Sequence, residues 1–281
     1  AGKDVRFPLL EAIADVSDQE LRSRLARLQA AEFLYEIRLF PELEYTFKHG
    51  LTHEVAYGGL LRERRRELHA RIVDIVETLY ADRLGEHVER LAHHAVRGDL
   101  KEKAAHYLRQ SGLKAAGRSA LHDARASFEH ALTILQALPE DRLTMERAFE
   151  TRHELRYVLI HLGEGRRILE RLNEAENLAE RLNDDRRRGR VCAYATHVHN
   201  LLGELDDALI SGARGLAIAQ TLGELDLRVL TTSFLAQTHY FRGEFEQAVF
   251  GIAFGNFKTD ADGLRCLHCR GQAINHFFGH E

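Results

Sequence analysis

The sequence predicts an all-α repeat solenoid behind a short region of mixed helix and strand. Three observations carry that prediction. Gly-Glu pairs at Gly163-Glu164, Gly203-Glu204 and Gly243-Glu244 fall 40 residues apart, and self-similarity at a fixed period of roughly 20–50 residues marks a stacked array. The residues after each pair align as well. Ile168, Ala208 and Ala248 come five after the glycine, Leu172, Gly212 and Ile252 four further on, and Ala175, Gly215 and Gly255 three beyond those. An i, i+4, i+7 set lies on one helix face, and its last member is always small, which admits a neighbouring helix. Finally, 3 Pro among 281 residues, against 39 Lys+Arg and 43 Asp+Glu, favours helix over strand and loop.

Residues 1–56 differ from the rest. "SDQELRSRLARLQAAEFL" opens on Ser17 as an N-cap with Glu20 three residues on, a capping box, and continues as an amphipathic helix. "FLYEIRLFPELEYTFKH" follows as two short aromatic and β-branched runs around "FPEL", the pattern of a hairpin. Helix then hairpin is the second half of a winged helix. From Thr52 the chain turns helical through "HEVAYGGLLRERRRELHARIVDIVETLYAD", and residues 57–99 form connecting helices.

The array is predicted over residues 100–258. An upstream copy at Ala124, Phe128 and Ala131 is displaced by four extra residues around "LPEDR". Pro139 and the acidic pair after it signal a helix stop and a longer turn. Each Gly-Glu pair ends one helix, with Gly in the left-handed C′ conformation, and starts the next, with Glu in the first turn facing the positive end of the dipole. Residues 259–281 depart from this pattern in their Cys, His and Gly content and are expected to form an atypical, poorly ordered tail.

Composition narrows the function classes. The chain is 44% hydrophobic and 29% charged with a net charge of −4, so no global basic field favours nucleic acid. No apolar run approaches the roughly 18 residues of a membrane span, and no signal peptide opens the chain. The three cysteines, Cys192, Cys266 and Cys269, make no disulfide framework and point to a reducing cytoplasm. With Ala at the start and Met145 as the one methionine, the chain reads as a piece of a longer protein.

The alanine, the large apolar residue four on and the small residue three on again resemble the second helix of a tetratricopeptide repeat. The upstream copy also carries Gly112 twelve residues before Ala124, where that family commonly has glycine. The copies depart from its pattern at Arg156, a position usually small, and in a spacing above the usual 34. The string "LQAAEFLYE…LEYTFKHGLTHEVAYGGLLRERRRELHARI" resembles bacterial multidomain signalling proteins that join a class III nucleotide cyclase, an AAA+-type signal-transduction ATPase and a tetratricopeptide tail. The resemblance runs from about Gly2 to Ala248. It implies that the chain holds the winged-helix end of the ATPase module and much of the tail, with the cyclase and ATP-binding core upstream. No G-x-x-x-x-G-K-[ST] loop is present to cradle phosphates. ATP or ADP and magnesium are therefore implied only for that upstream module, and no cofactor for this chain.

In related ATPases a winged-helix histidine contacts the bound diphosphate, and the matching position here is His49. The alternative is a histidine packed against the following helix. "RERRRELHAR" at Arg62–Arg71 and "DDRRRGR" at Asp184–Arg190 could bind phosphates, but interspersed acids favour a solvated helix face for the first and a charged inter-helix turn for the second. His197 and His199 lie two apart and diverge on a helix. Cys266, Cys269, His276 and His280 mimic a zinc set, yet only six residues separate the pairs, against about twelve in the familiar finger, so no metal is expected. No catalytic constellation stands out, and catalysis by this chain alone is not expected.

The function implied is regulatory: the array binds a protein or peptide and passes that event to its own upstream ATPase and cyclase domains. The exposed faces of the first helices would carry His106 and Arg109; Glu150, His153 and Tyr157; Arg190, His197 and Asn200; and Ser233, Gln237 and Tyr240. Polar and aromatic groups on a rigid wall suit peptide binding, and an oligomer is compatible with it. Two rivals remain. One is an ATPase-type transcriptional regulator whose winged helix binds DNA, and the other is the accessory region of a nucleotide cyclase.

Overall fold

The computed structural model describes residues 4–14, 16–38, 43–249, 257–260 and 263–266. The chain divides into two compact units, Ala1–Pro139 and Glu140–Glu281. The division falls at Pro139, inside the span the repeat pattern assigns to one array.

The first unit opens with β1 (Asp4–Arg6), α1 (Phe7–Ile13), α2 (Asp18–Ala30), β2 (Leu34–Arg38) and β3 (Glu44–Phe47). The three strands form an antiparallel sheet in the order β1-β3-β2. Sequence patterning found the hairpin but not β1, which is three residues long and too short to show alternation. Ser17 caps α2 by accepting from the Glu20 amide at 3.3 Å. The box is half closed, because the Glu20 carboxylate takes Arg24 instead. Phe7, Leu21, Leu25, Leu34 and Tyr45 form the small core beneath the sheet.

The helix expected from Thr52 onward is two helices, α3 (Gly50–Gly58) and α4 (Arg62–Leu79). The break falls at Gly58-Gly59, where low helix propensity meets an extended Leu61 (ψ 147°). A 3-10 turn (Ala81–Glu86), α5 (Val88–Arg97), α6 (Lys101–Gly117) and α7 (Leu121–Gln136) complete the unit. Ile72, Val73, Val76, Leu91, Ala95, Ala104 and Leu108 share its larger core. Gly112 lets α6 meet the ring of Phe128 on α7, since a Cβ there would stand 2.8 Å from the ring.

The second unit comprises α8 (Arg142–His161), α9 (Gly165–Arg181), α10 (Asp185–Leu202), α11 (Leu205–Leu222) and α12 (Leu225–Phe241), with helix resuming at 245–249. Asp141 caps α8 by accepting from the Thr144 amide at 2.7 Å, immediately beyond the Pro139 stop. The aligned face is buried as its spacing requires: Ile168, Leu172 and Ala175 on α9, and Ala208, Gly212 and Gly215 on α11. A Cβ on Gly215 would lie 3.1 Å from Cys192 Cβ and 3.2 Å from Thr231 Cγ2, so α10, α11 and α12 converge on that glycine. The segment Asp184–Arg190 is not a turn. Asp184 caps α10 through the Arg187 amide at 2.9 Å, and the arginines occupy its first turns.

Gly163, Gly203 and Gly243 all take positive φ (72°, 75° and 77°), as expected for helix ends. The recurrence is finer than the glycines alone reveal. Gly223, followed by Glu224, has φ 67°, and Asp99, Ser119 and Asn183 fill the same left-handed slot with φ of 56°, 59° and 51°. Among the described residues one such residue follows α5, α6 and α8 to α12 at 20-residue steps, and the one gap is at α7, where no left-handed residue precedes the longer turn before α8. The glutamates sit one position earlier than expected. Glu204 is the N-cap of α11 and makes no capping bond with its side chain. Its carboxylate instead takes His199 Nδ1 at 2.8 Å and pairs with Arg166.

Phe257–Asp260 and Gly263–Cys266 form a two-stranded antiparallel pair, β4 and β5, where no strand signal is legible in four-residue runs. Cys269, His276, His280 and the rest of the predicted tail from residue 267 lie outside the described residues.

Candidate partner-binding face

Helices α8, α10 and α12 present one shared face in the second unit, and most sequence-predicted residues of that unit lie on it. On α8, Glu150 accepts from Arg187 Nη2 at 3.4 Å, and half-buried His153 meets Arg190 Nη2 at 2.9 Å through Nε2. Tyr157 is 52% exposed and packs on His161, ring centroids 4.4 Å apart. On α10, His197 stacks on Phe234 of α12 at 4.5 Å. On α12, Gln237 is half-buried and Tyr240 is 56% exposed beside Phe241 and Phe245.

Two predicted residues serve the scaffold. Asn200 is buried and ties α10 to α12. Its Nδ2 donates to the Phe234 carbonyl at 3.0 Å, and its Oδ1 accepts from Thr238 Oγ1 at 2.9 Å. Ser233 is exposed, but its hydroxyl donates to the Val229 carbonyl one turn back. His106 and Arg109 belong to the other unit. His106 is exposed, with Gln110 Nε2 3.3 Å from its Nε2, and Arg109 is half-buried.

Between the predicted residues of α8, α10 and α12 lie Arg156, Tyr194 and Phe234, which the sequence reading did not place on the face. The Arg156 guanidinium lies 3.7 Å from the centroid of Tyr194. Tyr194 also neighbours His153 at 5.0 Å and Phe234 at 6.4 Å. The signal was present: Tyr194 and Phe234 stand 40 residues apart, in equivalent slots, as do Tyr157, His197 and Gln237. Electrostatically the patch is positive and partly dry. Burial, then Arg190 and Arg156, push His153 down to about 4. Burial and Arg156 lower His197, against a raising hydrogen bond from Gln237. Arg156 is itself lowered by burial.

In the first unit His49 is exposed and immediately precedes α3, making no capping bond with its side chain. The buried histidines lie elsewhere. His69 and His94 bring their Nδ1 atoms within 2.7 Å, and the Tyr57 hydroxyl reaches His69 Nε2 at 2.9 Å. Arg97 donates to that hydroxyl at 3.3 Å, so it serves His69 as donor and α3, α4 and α5 are joined through one polar chain. Burial depresses His69 to about 4 and His94 to about 2.

No protein-family profile matches the chain. A protein of Rhizobium meliloti (strain 1021), itself uncharacterized, is 33% identical over 141 residues, 50% of this chain and 14% of the relative. The chain thus spans about one seventh of the curated relative it matches. Among solved structures, BtubC from P. vanneervenii is similar at a TM-score of 0.52 with 17% identity, over 72% of this chain and 83% of that one. The apo form of RapI is similar at 0.54 with 12% identity, over 89% and 64%. The fold is of the tetratricopeptide type. A signal-transduction ATPase with a tetratricopeptide sensor from Pyrococcus horikoshii aligns over 91% of this chain and 48% of that one, with 13% identity and a TM-score of 0.47, too distant to argue from. Among the described residues no helix is long and apolar enough to cross a membrane.

Proposed function

We propose that this chain is a regulatory protein-interaction scaffold that binds an extended segment of a partner protein along the α8, α10 and α12 face. The observation that carries the reading is the row Arg156, Tyr194, His197 and Phe234: half-buried aromatic and cationic groups, in register across three helices. The Asn200 bridge and the small-residue packing of α11 hold that row in place. Aromatic rings and arginines supply much binding energy per residue when their backbone is preorganised. A random dodecapeptide display selection against the 281-residue chain tests this. Enriched peptides should protect α8, α10 and α12 amides from exchange and lose affinity on Tyr194→Ala. Protection confined to α9 and α11, or no enrichment, would overturn it.

We further propose that the array passes binding to an ATPase and cyclase module of a longer cytoplasmic protein. The order β1-α1-α2-β2-β3 with sheet order β1-β3-β2 supports a winged helix at residues 4–47, and exposed His49 is then free to touch a diphosphate. A charge-assisted bond made only in the diphosphate-bound state contributes roughly 1.5–3 kcal/mol. His49→Ala in a longer protein carrying the module should therefore raise basal output about tenfold or more, with His53→Ala as control. Equal basal output from parent and His49→Ala removes this role.

A further inference from the structure

Arginines along the second unit spend their charge on carboxylates. Arg152 holds Glu174, Arg187 holds Asp184 and Glu150, Arg214 holds Glu176, and Arg242 holds Asp206 and Glu244. Arg156 and Arg190 break this pattern in the middle of the partner-binding face. Among the described residues Arg156 lies over an aromatic ring with no carboxylate against it, and Arg190 donates to a neutral histidine. The two cations act unfavourably on one another and on His153. At the same place His197 Nδ1 is also buried without a hydrogen-bond partner. A buried polar atom left unpaired is costly, and charged groups held in such unfavourable surroundings cluster at binding sites.

We propose that the partner segment presents an aspartate or glutamate side chain to Arg156 and Arg190, beside an apolar or aromatic residue stacked on Tyr194 and Phe234. The inference rests on the scaffold reading and specifies its ligand. A carboxylate fits better than a phosphate for two reasons. The walls are aromatic and partly dry, which penalises a dianion more than a monoanion. Part of the Arg190 fork is also committed to His153, and the ion-paired Glu150 stands on the same face. The net charge of −4 argues against a nucleic-acid backbone as the anion.

Peptides from the dodecapeptide selection provide the test. The strongest binder should contain one Asp or Glu whose change to Gln or Asn weakens binding at least about tenfold, the scale of a lost charge-assisted bond. Arg156→Gln and, separately, Arg190→Gln should bind the acidic and amide peptides with nearly equal affinity, with helical circular dichroism showing that each variant is folded. Arg190 keeps the test alive if Arg156→Gln fails to fold. Peptides that occupy the face without an essential acid would overturn this proposal and leave the scaffold reading standing. A phosphoserine replacement that binds more tightly than the acid would overturn it in favour of a phosphopeptide. No peptide bound at all would overturn both.

Discussion

Replacing Gly112 by alanine sets two effects of known size against each other. In the interior of a helix alanine is favoured over glycine by up to about 1 kcal/mol. Against that, the new Cβ would stand 2.8 Å from Phe128 Cδ1 and Cε1 and 2.9 Å from Cζ, where carbon atoms rest at about 3.5–4.0 Å. The ring cannot retreat, because Phe128 is 0% exposed. Overpacking of this kind costs about 1–3 kcal/mol, so packing outweighs propensity and the net loss is about 1 kcal/mol, or roughly 3 °C in Tm for a unit of this size. Gly112→Val should lose about 2–4 kcal/mol, since it adds bulk and forfeits the propensity gain. Gly117→Ala is the matched control at the end of the same helix, where a Cβ meets nothing within 4 Å. It should be neutral or stabilising by a few tenths of a kcal/mol. Urea unfolding followed by far-ultraviolet circular dichroism measures all three. Phe128→Leu should partly rescue Gly112→Ala, giving a coupling of about 1 kcal/mol in a double-mutant cycle. If Gly112→Ala matches the stabilisation of Gly117→Ala, or the two changes simply add, the close approach of α6 and α7 is wrong.

Three further outcomes are expected. Ala208→Glu places a carboxylate at a position that is 0% exposed; the loss should be several kcal/mol, enough to melt the second unit's helices, and an unchanged thermal melt would refute the repeat register. His69 and His94 have folded pKa values of about 4 and about 2, below the unfolded value near 6.5. The unfolded chain then binds more protons once the pH drops below about 6.5. Stability should fall by up to about 3 kcal/mol per pH unit between 6.5 and 4, and stay flat with respect to these groups above 6.5. His94→Gln should remove about one proton from that slope, and an unchanged slope would place the buried charge elsewhere. Asn200→Ala loses its bonds to α12 and should cost about 2–3 kcal/mol; hydrogen exchange in α12 reads the loosening directly, and exchange no faster than in the parent would deny Asn200 its bridging role.

The repeat was legible because the short turns between helices take a left-handed residue, and glycine meets that demand most cheaply. The demand was only half visible. Asn183, Ser119 and Asp99 meet it with other side chains, and the Gly223-Glu224 pair falls at half the period sought, which hid the 20-residue step. His69 was concealed differently. "RRRELHAR" reads as a charged surface, yet His69, Ile72, Val73 and Val76 follow helical spacing and are buried together. His94 likewise falls three residues after buried Leu91. Tracing the apolar stripe through the charged run would have found both. Register placed Glu150, His153, Tyr157, Arg190, His197, Gln237 and Tyr240 on α8, α10 and α12, but could not tell which residues of these helices stay available for a partner. Asn200 and Ser233 turn out to spend their hydrogen bonds inside the array, and only the packing of α10 on α12 settles that.

Among the described residues of the second unit the side-chain hydrogen bonds between successive elements reach no further than 41 residues along the chain, from Glu140 ahead of α8 to Arg181 on α9. During synthesis, then, no described segment of this unit has to wait for a distant one to complete these bonds. At about 5–20 residues per second, a stretch of about 40 residues emerges in roughly 2–8 s, whereas a helical hairpin can close in microseconds to milliseconds. Each new helix pair can settle on the one already formed before the following pair leaves the ribosome.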